Sequence, residues 1–372
     1  MRRRLRNMLL AIVLIGITLG GGACAILNQA KFGKQPEGER LERIQASPNY
    51  TDGEFKNTVP TAMLAEGQSS IKIMLGGLFS SPERLRPASD LPTERPDLKS
   101  LPLDDDVLVW LGHSSYYMHL GGKRILVDPV FSEFGAPFSF ANKIFPGTAL
   151  YSVEDMPEID VLLISHDHWD HLDYPTVTAL MPKVKTAAMP LGVGAHFGHW
   201  GYPKEKIREA DWNEAIRFDD GLAVHVVPAR HYSGRTFTRN KTLWAGFVLE
   251  TPQRRLFLSG DTGYGPHIGD IAKTFGQFDL PAIDAGQYDP RWPLIHMTPE
   301  EAVKTALELR AGALMLAHVG RFAIASHPWD EPFIRGVAAA EKAGMPLVTP
   351  KIGQPLYFNT PQQSFTRWWE GV

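Results

Sequence analysis

Cysteine is almost missing from this chain: one residue, Cys24, in 372. No intramolecular disulfide can form and no cysteine-based zinc finger is possible, so any bound metal must rest on His, Asp or Glu. Surplus charge is missing too. The formal net charge is −3, whereas general nucleic-acid binders carry a strong positive excess to meet phosphate, so nucleic acid is not an expected partner. Internal repeats and low-complexity tracts are absent, which sets aside solenoids and compositionally disordered scaffolds. What remains is ordinary for a folded protein, with 44% hydrophobic and 21% charged residues and length enough for one large domain with extensions. The 13 histidines are the residues to sort.

The N-terminus differs in kind from the rest. Arg2, Arg3, Arg4 and Arg6 precede an uncharged apolar run over residues 8–27, which closes on small residues such as Gly20 and Ala23. That order reads as a secretory signal or an uncleaved membrane anchor, and the run is about long enough to span a bilayer. A buried core helix would not be introduced by four arginines. Cys24 stands where a lipoprotein signal places its lipidated cysteine, but Gly21-Gly22-Ala23 lacks the usual large aliphatic residue three positions earlier. A lipid or a transmembrane helix would tether the protein alike. The arginines should stay cytoplasmic, placing the rest on the non-cytoplasmic side, periplasmic in a Gram-negative cell.

Three segments follow: an anchor over 1–30, a proline-rich extension over 31–102 and a main domain over 103–372. Pro82, Pro87, Pro92, Pro96 and Pro102 forbid long helices in the extension, which suggests an extended arm or linker, with an ordered strap over the main domain as the alternative. From residue 103 short apolar runs end at turn residues. Strands are expected at 107–111, 116–120, 124–127, 161–164, 222–227, 244–249, 256–258 and 313–317, with Gly121-Gly122 as the turn between the second and third. Thr298-Pro299-Glu300-Glu301 is a capping box that opens a helix reaching about Arg310. Strands dominate the first half and alternate with helices in the second, which fits an α/β or α+β fold of a mixed sheet layered with helices.

The most informative run is Ser165-His166-Asp167-His168-Trp169-Asp170-His171. It follows an apolar strand, so its side chains fan from a strand end into a loop held by the sheet. Nitrogen and oxygen donors this dense suit zinc, with iron or manganese also possible. His166 and His168, two apart in an extended segment, project to one side and can share a metal, while Asp170 and His171 lie where the chain turns and can reach a second. A loop of solvated histidines is the bland reading, and the density of the motif argues against it.

This run resembles the ligand signature of the metallo-β-lactamase superfamily. On that resemblance, His231 after the strand at 222–227 matches the third histidine of the first metal. Asp261 in Ser259-Gly260-Asp261-Thr262-Gly263 matches the carboxylate that bridges both metals, and His318 matches the last ligand of the second. The resemblance implies a four-layered αββα sandwich with the metals at one edge of two sheets. With Asp170 in the motif and the only cysteine in the anchor, antibiotic hydrolysis is not expected. Trp110-Leu111-Gly112-His113, Asp128-Pro129-Val130-Phe131, Gly260-Asp261-Thr262-Gly263-Tyr264 and Tyr288-Asp289-Pro290-Arg291-Trp292, followed by His296 and Pro299-Glu300-Glu301, look like the branch of N-acylphosphatidylethanolamine-hydrolysing phospholipases D. The unrelated phospholipase D type needs His-x-Lys, and no histidine here has lysine two residues later.

The function this implies is a di-zinc phosphodiesterase acting on an N-acylated or related phospholipid through a hydroxide held between the metals. Metal ligands would be His166, His168, Asp170, His171, His231, Asp261 and His318. Asp261 would hold both ions and Asp170 would orient the hydroxide. His296 is a candidate for contact with substrate phosphate or the nucleophilic water, or else a structural hydrogen bond; His113 is either behind the ligands or simply packed. Hydrolysis of another ester, such as a lactone or cyclic phosphodiester, is the alternative on the same centre, and a membrane-tethered metal-binding protein without catalysis is the other. The remaining histidines are expected at the surface or satisfied in the core, and the sequence sets no oligomeric state.

Overall fold

The computed structural model describes residue 22 and residues 25–69, 72–73, 82–219, 221–360 and 363–372. The four N-terminal arginines, Cys24 and most of the apolar run at 8–27 lie outside them; among the described residues no helix is long and apolar enough to cross a membrane.

The extension takes the wrapped form rather than that of a free arm. Helix α1 (Gly38–Gln45) leads into a small hairpin, β1 (Tyr50–Thr51) and β2 (Glu54–Phe55). Proline limits the length of its elements, but single apolar side chains pin it: Ile44 and Phe55 are wholly buried in the main core, and Phe32, Leu91 and Leu98 are buried too. Each such anchor removes apolar area from water without needing a long element.

The main domain contains two seven-stranded sheets. The first holds β3 (Val107–Trp110), β4 (Tyr116–Leu120), β5 (Lys123–Val127), β6 (Ile159–Leu163), β7 (Val184–Pro190) and β8 (Ile207–Ala210). The second holds β9 (Ala215–Arg217), β10 (Ala223–Val227), β11 (Gly246–Glu250), β12 (Arg255–Leu258), β13 (Leu280–Asp284), β14 (Leu314–Ala317) and β15 (Leu347–Val348). The last strand, β16 (Pro355–Tyr357), returns to the first sheet beside β3. Every strand expected from sequence is present with its ends moved by two residues or fewer. Gly121 and Gly122, both at positive φ (56° and 70°), join β4 to β5 as the two-residue turn requires.

The layers follow from side-chain alternation. In the first sheet Leu108, Trp110, Tyr116 and Met118 face the core shared with the second sheet, while Val107, Val109 and Tyr117 face the other way. That outer face is covered by α2 (Tyr174–Leu180) and α3 (Gly194–His199), through Val177, Leu180 and Phe197. The second sheet is covered by α4 (His267–Phe275), α5 (Pro299–Glu308) and α6 (Glu331–Ala343), with α5 and α6 packed on β13 and β14. Helices therefore flank two stacked sheets, an αββα sandwich. Both halves of the capping box of α5 form: the Thr298 side chain accepts from the Glu301 N–H, and Glu301 accepts from the Thr298 N–H.

Strand direction decides where the site lies. The antiparallel steps β3–β4–β5 and the parallel step β5–β6 make β3, β5 and β6 run the same way. In the second sheet β10, β12, β13 and β14 also share one direction. The loops that follow the carboxyl ends of these strands carry His113, Asp128, His166, His231, Asp261 and His318.

Candidate metal centre

Residues 165–171 leave β6 as a buried loop, with His166, Asp170 and His171 almost without solvent contact. His166 Nε2 lies 2.9 Å from His168 Nδ1, and His231 Nε2 lies 3.2 Å from that same atom. Asp261 turns Oδ2 toward this group, 3.7 Å from His166 and 3.6 Å from His231. Its Oδ1 faces a second group, 3.1 Å from both His171 Nε2 and His318 Nδ1. Asp170 Oδ2 stands 3.5 Å from His171 Nε2. The donors of His166, His168, His231 and Asp261 fall within 4.8 Å of one another, as do those of His113, Asp170, His171 and His318. The seven residues named from sequence are thus brought together in two adjoining clusters, joined by the two oxygens of Asp261.

Left-handed backbone helps to aim them. His113 (φ 56°), Asp128 (φ 39°) and His318 (φ 63°) all adopt a conformation that side-chain-bearing residues avoid, and all three stand at the site. Gly260 (φ 57°) precedes Asp261 where an added Cβ would come within 2.5 Å of the Ala245 carbonyl, so the turn that presents the carboxylate needs glycine.

The donor set fits a metal ion. Burial first, and then the neighbouring rings, hold His166, His231 and His318 well below the ordinary imidazole value. Burial likewise brings His168 down to about 4, against the pull of Asp167 and Asp170. Burial thus favours the neutral form of these rings, the form that can offer a lone pair to a cation. Burial pushes the Asp261 carboxyl up to about 6, against the nearby His171. Burial opposes charge on His171 also, but Asp261 and Asp170 outweigh it and raise its proton affinity, so positive charge is favoured at that spot. His171 Nε2 and Asp261 Oδ1 are buried with no hydrogen-bond partner. Unpaired buried donors and acceptors are costly, and a divalent cation between neutral imidazoles and carboxylates satisfies them all.

A second tier orients the rings. His231 Nδ1 donates to the Ile295 carbonyl (3.0 Å), leaving Nε2 for the cluster. His171 Nδ1 lies 2.9 Å from Asp128 Oδ2, whose carboxylate also accepts from the Ser165 N–H and hydroxyl. His113, fully buried, sits 2.8 Å from Asp170 Oδ2. His296 stands beside Asp261 and His318 rather than in either ligand group, its Nδ1 2.8 Å from the buried Asp284. Asp167 points away from the centre and accepts from the Gly234 N–H and the Thr242 hydroxyl, with His196 3.2 Å off.

Sequence reasoning missed Asp128, Asp284 and Asn57 as supports. Asp128 and Asp284 each stand at the end of an apolar strand, as His318 and Asp261 do, but the resemblance that picked out the latter two gave the former no role. Nothing local marked Asn57, which comes from the extension. His119 is satisfied in the core and His199 is exposed, as expected, whereas buried His267 meets Thr262 through Nε2 and leaves Nδ1 without a partner.

Three cavities meet at His296. One of about 260 Å3 lies directly over the cluster between the loops of Gly135 and Tyr232. One of about 640 Å3 is lined by polar residues including Arg291, Glu331 and Arg335. The third, about 300 Å3, is apolar, walled by Met63, Leu64, Trp292, Ile295 and Ile324.

Residues 123–319 match the family described as the β-lactamase superfamily domain. A protein of Mycobacterium tuberculosis is 37% identical over 329 residues, 87% of this chain and 88% of its own. The N-acyl-phosphatidylethanolamine-hydrolyzing phospholipase D 1 of Caenorhabditis elegans is 30% identical over 307 residues, 74% of this chain and 86% of that one. Among solved structures, the metallo hydrolase Igni18 of Ignicoccus hospitalis superposes with a TM-score of 0.52 at 18% identity, over 69% of this chain and 99% of that one.

Proposed function

The chain belongs to the metallo-β-lactamase superfamily of metal-dependent hydrolases, and from that premise we propose that it is a di-zinc phosphodiesterase of phospholipase D type, acting on N-acylated or related phospholipids. The observation that carries this reading is the apolar cavity beside His296. A hydrocarbon chain laid between Met63, Leu64, Trp292 and Ile324 brings its polar end to the donor cluster. The likeness to the C. elegans enzyme supports the same substrate class.

His166, His168 and His231 would hold one ion, Asp170, His171 and His318 the other, and Asp261 would reach both. Bound there, the pair would supply Lewis acidity and an acidified water. The sulfur-free donor set suits zinc and leaves iron or manganese as alternatives. Asp170, held by His113, is placed to accept a hydrogen bond from the attacking water and so aim its oxygen at phosphorus. His296, backed by Asp284, keeps Nε2 for the substrate, either to bind a phosphoryl oxygen or to pass a proton to the departing one. The new P–O bond forms from water, the bond to the alcohol breaks, and the alcohol oxygen gains that proton.

We also place the domain on the non-cytoplasmic side of a membrane, held by the run at 8–27. Mass spectrometry of products from a phospholipid panel tests the substrate. Release of phosphatidic acid and an N-acylated alcohol is expected. Turnover of a lactone or cyclic phosphodiester with every phospholipid intact would move the reading to another ester, and no turnover by metal-loaded protein would leave a binding protein.

A further inference from the structure

Two loops form the lips of the cavity over the metal centre. Gly135, Ala136 and Pro137 line it from one side, and Tyr232, Gly234 and Thr236 from the other. Each lip carries aromatic side chains outward. Phe140 is 80% exposed and Phe237 is 92% exposed, with Phe138 also exposed and stacked on Phe140 at 5.6 Å between ring centres. Among the described residues only six large apolar side chains are exposed, and these three share one mouth. Exposed aromatics collected at one place mark an interaction surface.

The charge beside them has one sign. Residues 134–143 and 232–241 contain Lys143 and Arg239, both exposed, and the half-buried Lys241, besides a buried Arg235, and no carboxylate, in a chain whose net charge is −3. Glu133 stands only at the foot of the first lip. Lys31 adds to the group, with its ammonium 5.1 Å from the Phe138 ring centre and donating to the Pro137 carbonyl. The position of Lys31 carries a second argument. The chain enters the domain here, just after the apolar run at 8–27, and Ile26 is another of the six exposed apolar side chains. The described chain that follows the proposed tether therefore reaches the lips at Lys31.

Extending the phospholipid reading above, we propose that the lips of residues 134–143 and 232–241 dock on an anionic phospholipid bilayer, with Phe138, Phe140 and Phe237 inserted and the mouth of the metal centre facing the lipid. Aromatic rings settle at the headgroup level of a bilayer, and clustered Lys and Arg draw the surface to negatively charged lipid. A substrate headgroup would then pass into the cavity without its chains crossing bulk water.

The test uses full-length protein with Cys24→Ser and one new cysteine for a polarity-sensitive dye, placed by Phe140→Cys, Phe237→Cys or Lys273→Cys. Lys273 is exposed in the last turn of α4, which runs back from the edge that carries the site. With phosphatidylglycerol vesicles, emission at positions 140 and 237 should shift to the blue and position 273 should not respond. High salt should weaken the shift. Vesicle-bound protein with no shift at either lip would mean that the tether alone holds it, and overturns the proposal; so does protein that fails to bind vesicles. An equal shift on phosphatidylcholine overturns the anionic assignment. A shift that follows protein concentration without vesicles means a second copy covers the lips, and overturns it as well. Because the readout is emission, lips that insert in a protein without phospholipid turnover would sink the substrate reading and leave the docking surface standing.

Discussion

The side-chain amide of Asn57 grips the backbone of His231 from both sides: its nitrogen donates to the His231 carbonyl at 2.8 Å and its oxygen accepts the His231 N–H at 3.0 Å. A residue of the proline-rich extension thus holds a proposed metal ligand from the main domain. Neighbouring contacts continue the strap, with Arg230 donating to the Pro60 carbonyl and the Thr61 hydroxyl, and Phe32 edge-on to Trp169 at 5.2 Å. Asn57→Ala should cost about 1–3 kcal/mol, the usual price of leaving buried backbone groups unpaired, and loosen metal held by His166, His168 and His231. Chelator competition measures the second effect; retention equal to wild type would reduce the clamp to a folding contact.

Metal content separates the two clusters. Elemental analysis of protein purified without chelator should give two ions per chain, most of it zinc. His168→Ala should lose the ion of its own cluster first, and Asp261→Ala should weaken both, because its two oxygens face different groups. Protein that stays metal-free after reconstitution would defeat the assignment.

His296→Ala tests proton delivery to the leaving oxygen. Turnover of an alkyl phosphodiester should fall roughly 10²–10⁴-fold, the range usual for a lost general acid. A nitrophenyl leaving group needs no proton and should be much less affected. Equal losses on both substrates would assign His296 to phosphate binding instead.

Asp167 lies inside the motif yet serves the fold. Its carboxylate accepts from Gly234 and Thr242 with His196 alongside, and breaking a buried network of this kind costs about 3 kcal/mol. Asp167→Ala should lower the urea midpoint clearly, while folded protein keeps its full metal complement. Metal lost in step with His168→Ala would mean that Asp167 belongs among the ligands.

Truncation distinguishes tether from strap. Protein beginning at Lys31 should be held by its lips alone and leave the membrane fraction in high salt, while keeping turnover of a short-chain phosphodiester. Protein beginning beyond residue 66 should lose both stability and metal, since Ile44, Phe55 and Asn57 go with it. Protease added to spheroplasts should reach the domain of the intact protein; full protection would reverse the proposed orientation.

Much of this was legible in the chain itself. The apolar runs, the Gly121-Gly122 turn and the capping box at Thr298 are local signals, and local signals survive folding because their physics is short-ranged. The density of His166, His168, Asp170 and His171 likewise pointed to a metal without any fold. Pairing was another matter. That Asp261 turns one oxygen to His166 and the other to His171, that Asp284 backs His296, and that Asn57 reaches across 174 positions to His231 depend on which strands lie side by side. Strand order is settled by the burial of whole faces of two sheets against each other and against helices, a cooperative energy no short window of sequence contains. For the same reason Phe138, Phe140 and Phe237 read as ordinary apolar residues in the chain, and only the tertiary structure leaves them in water together at one mouth.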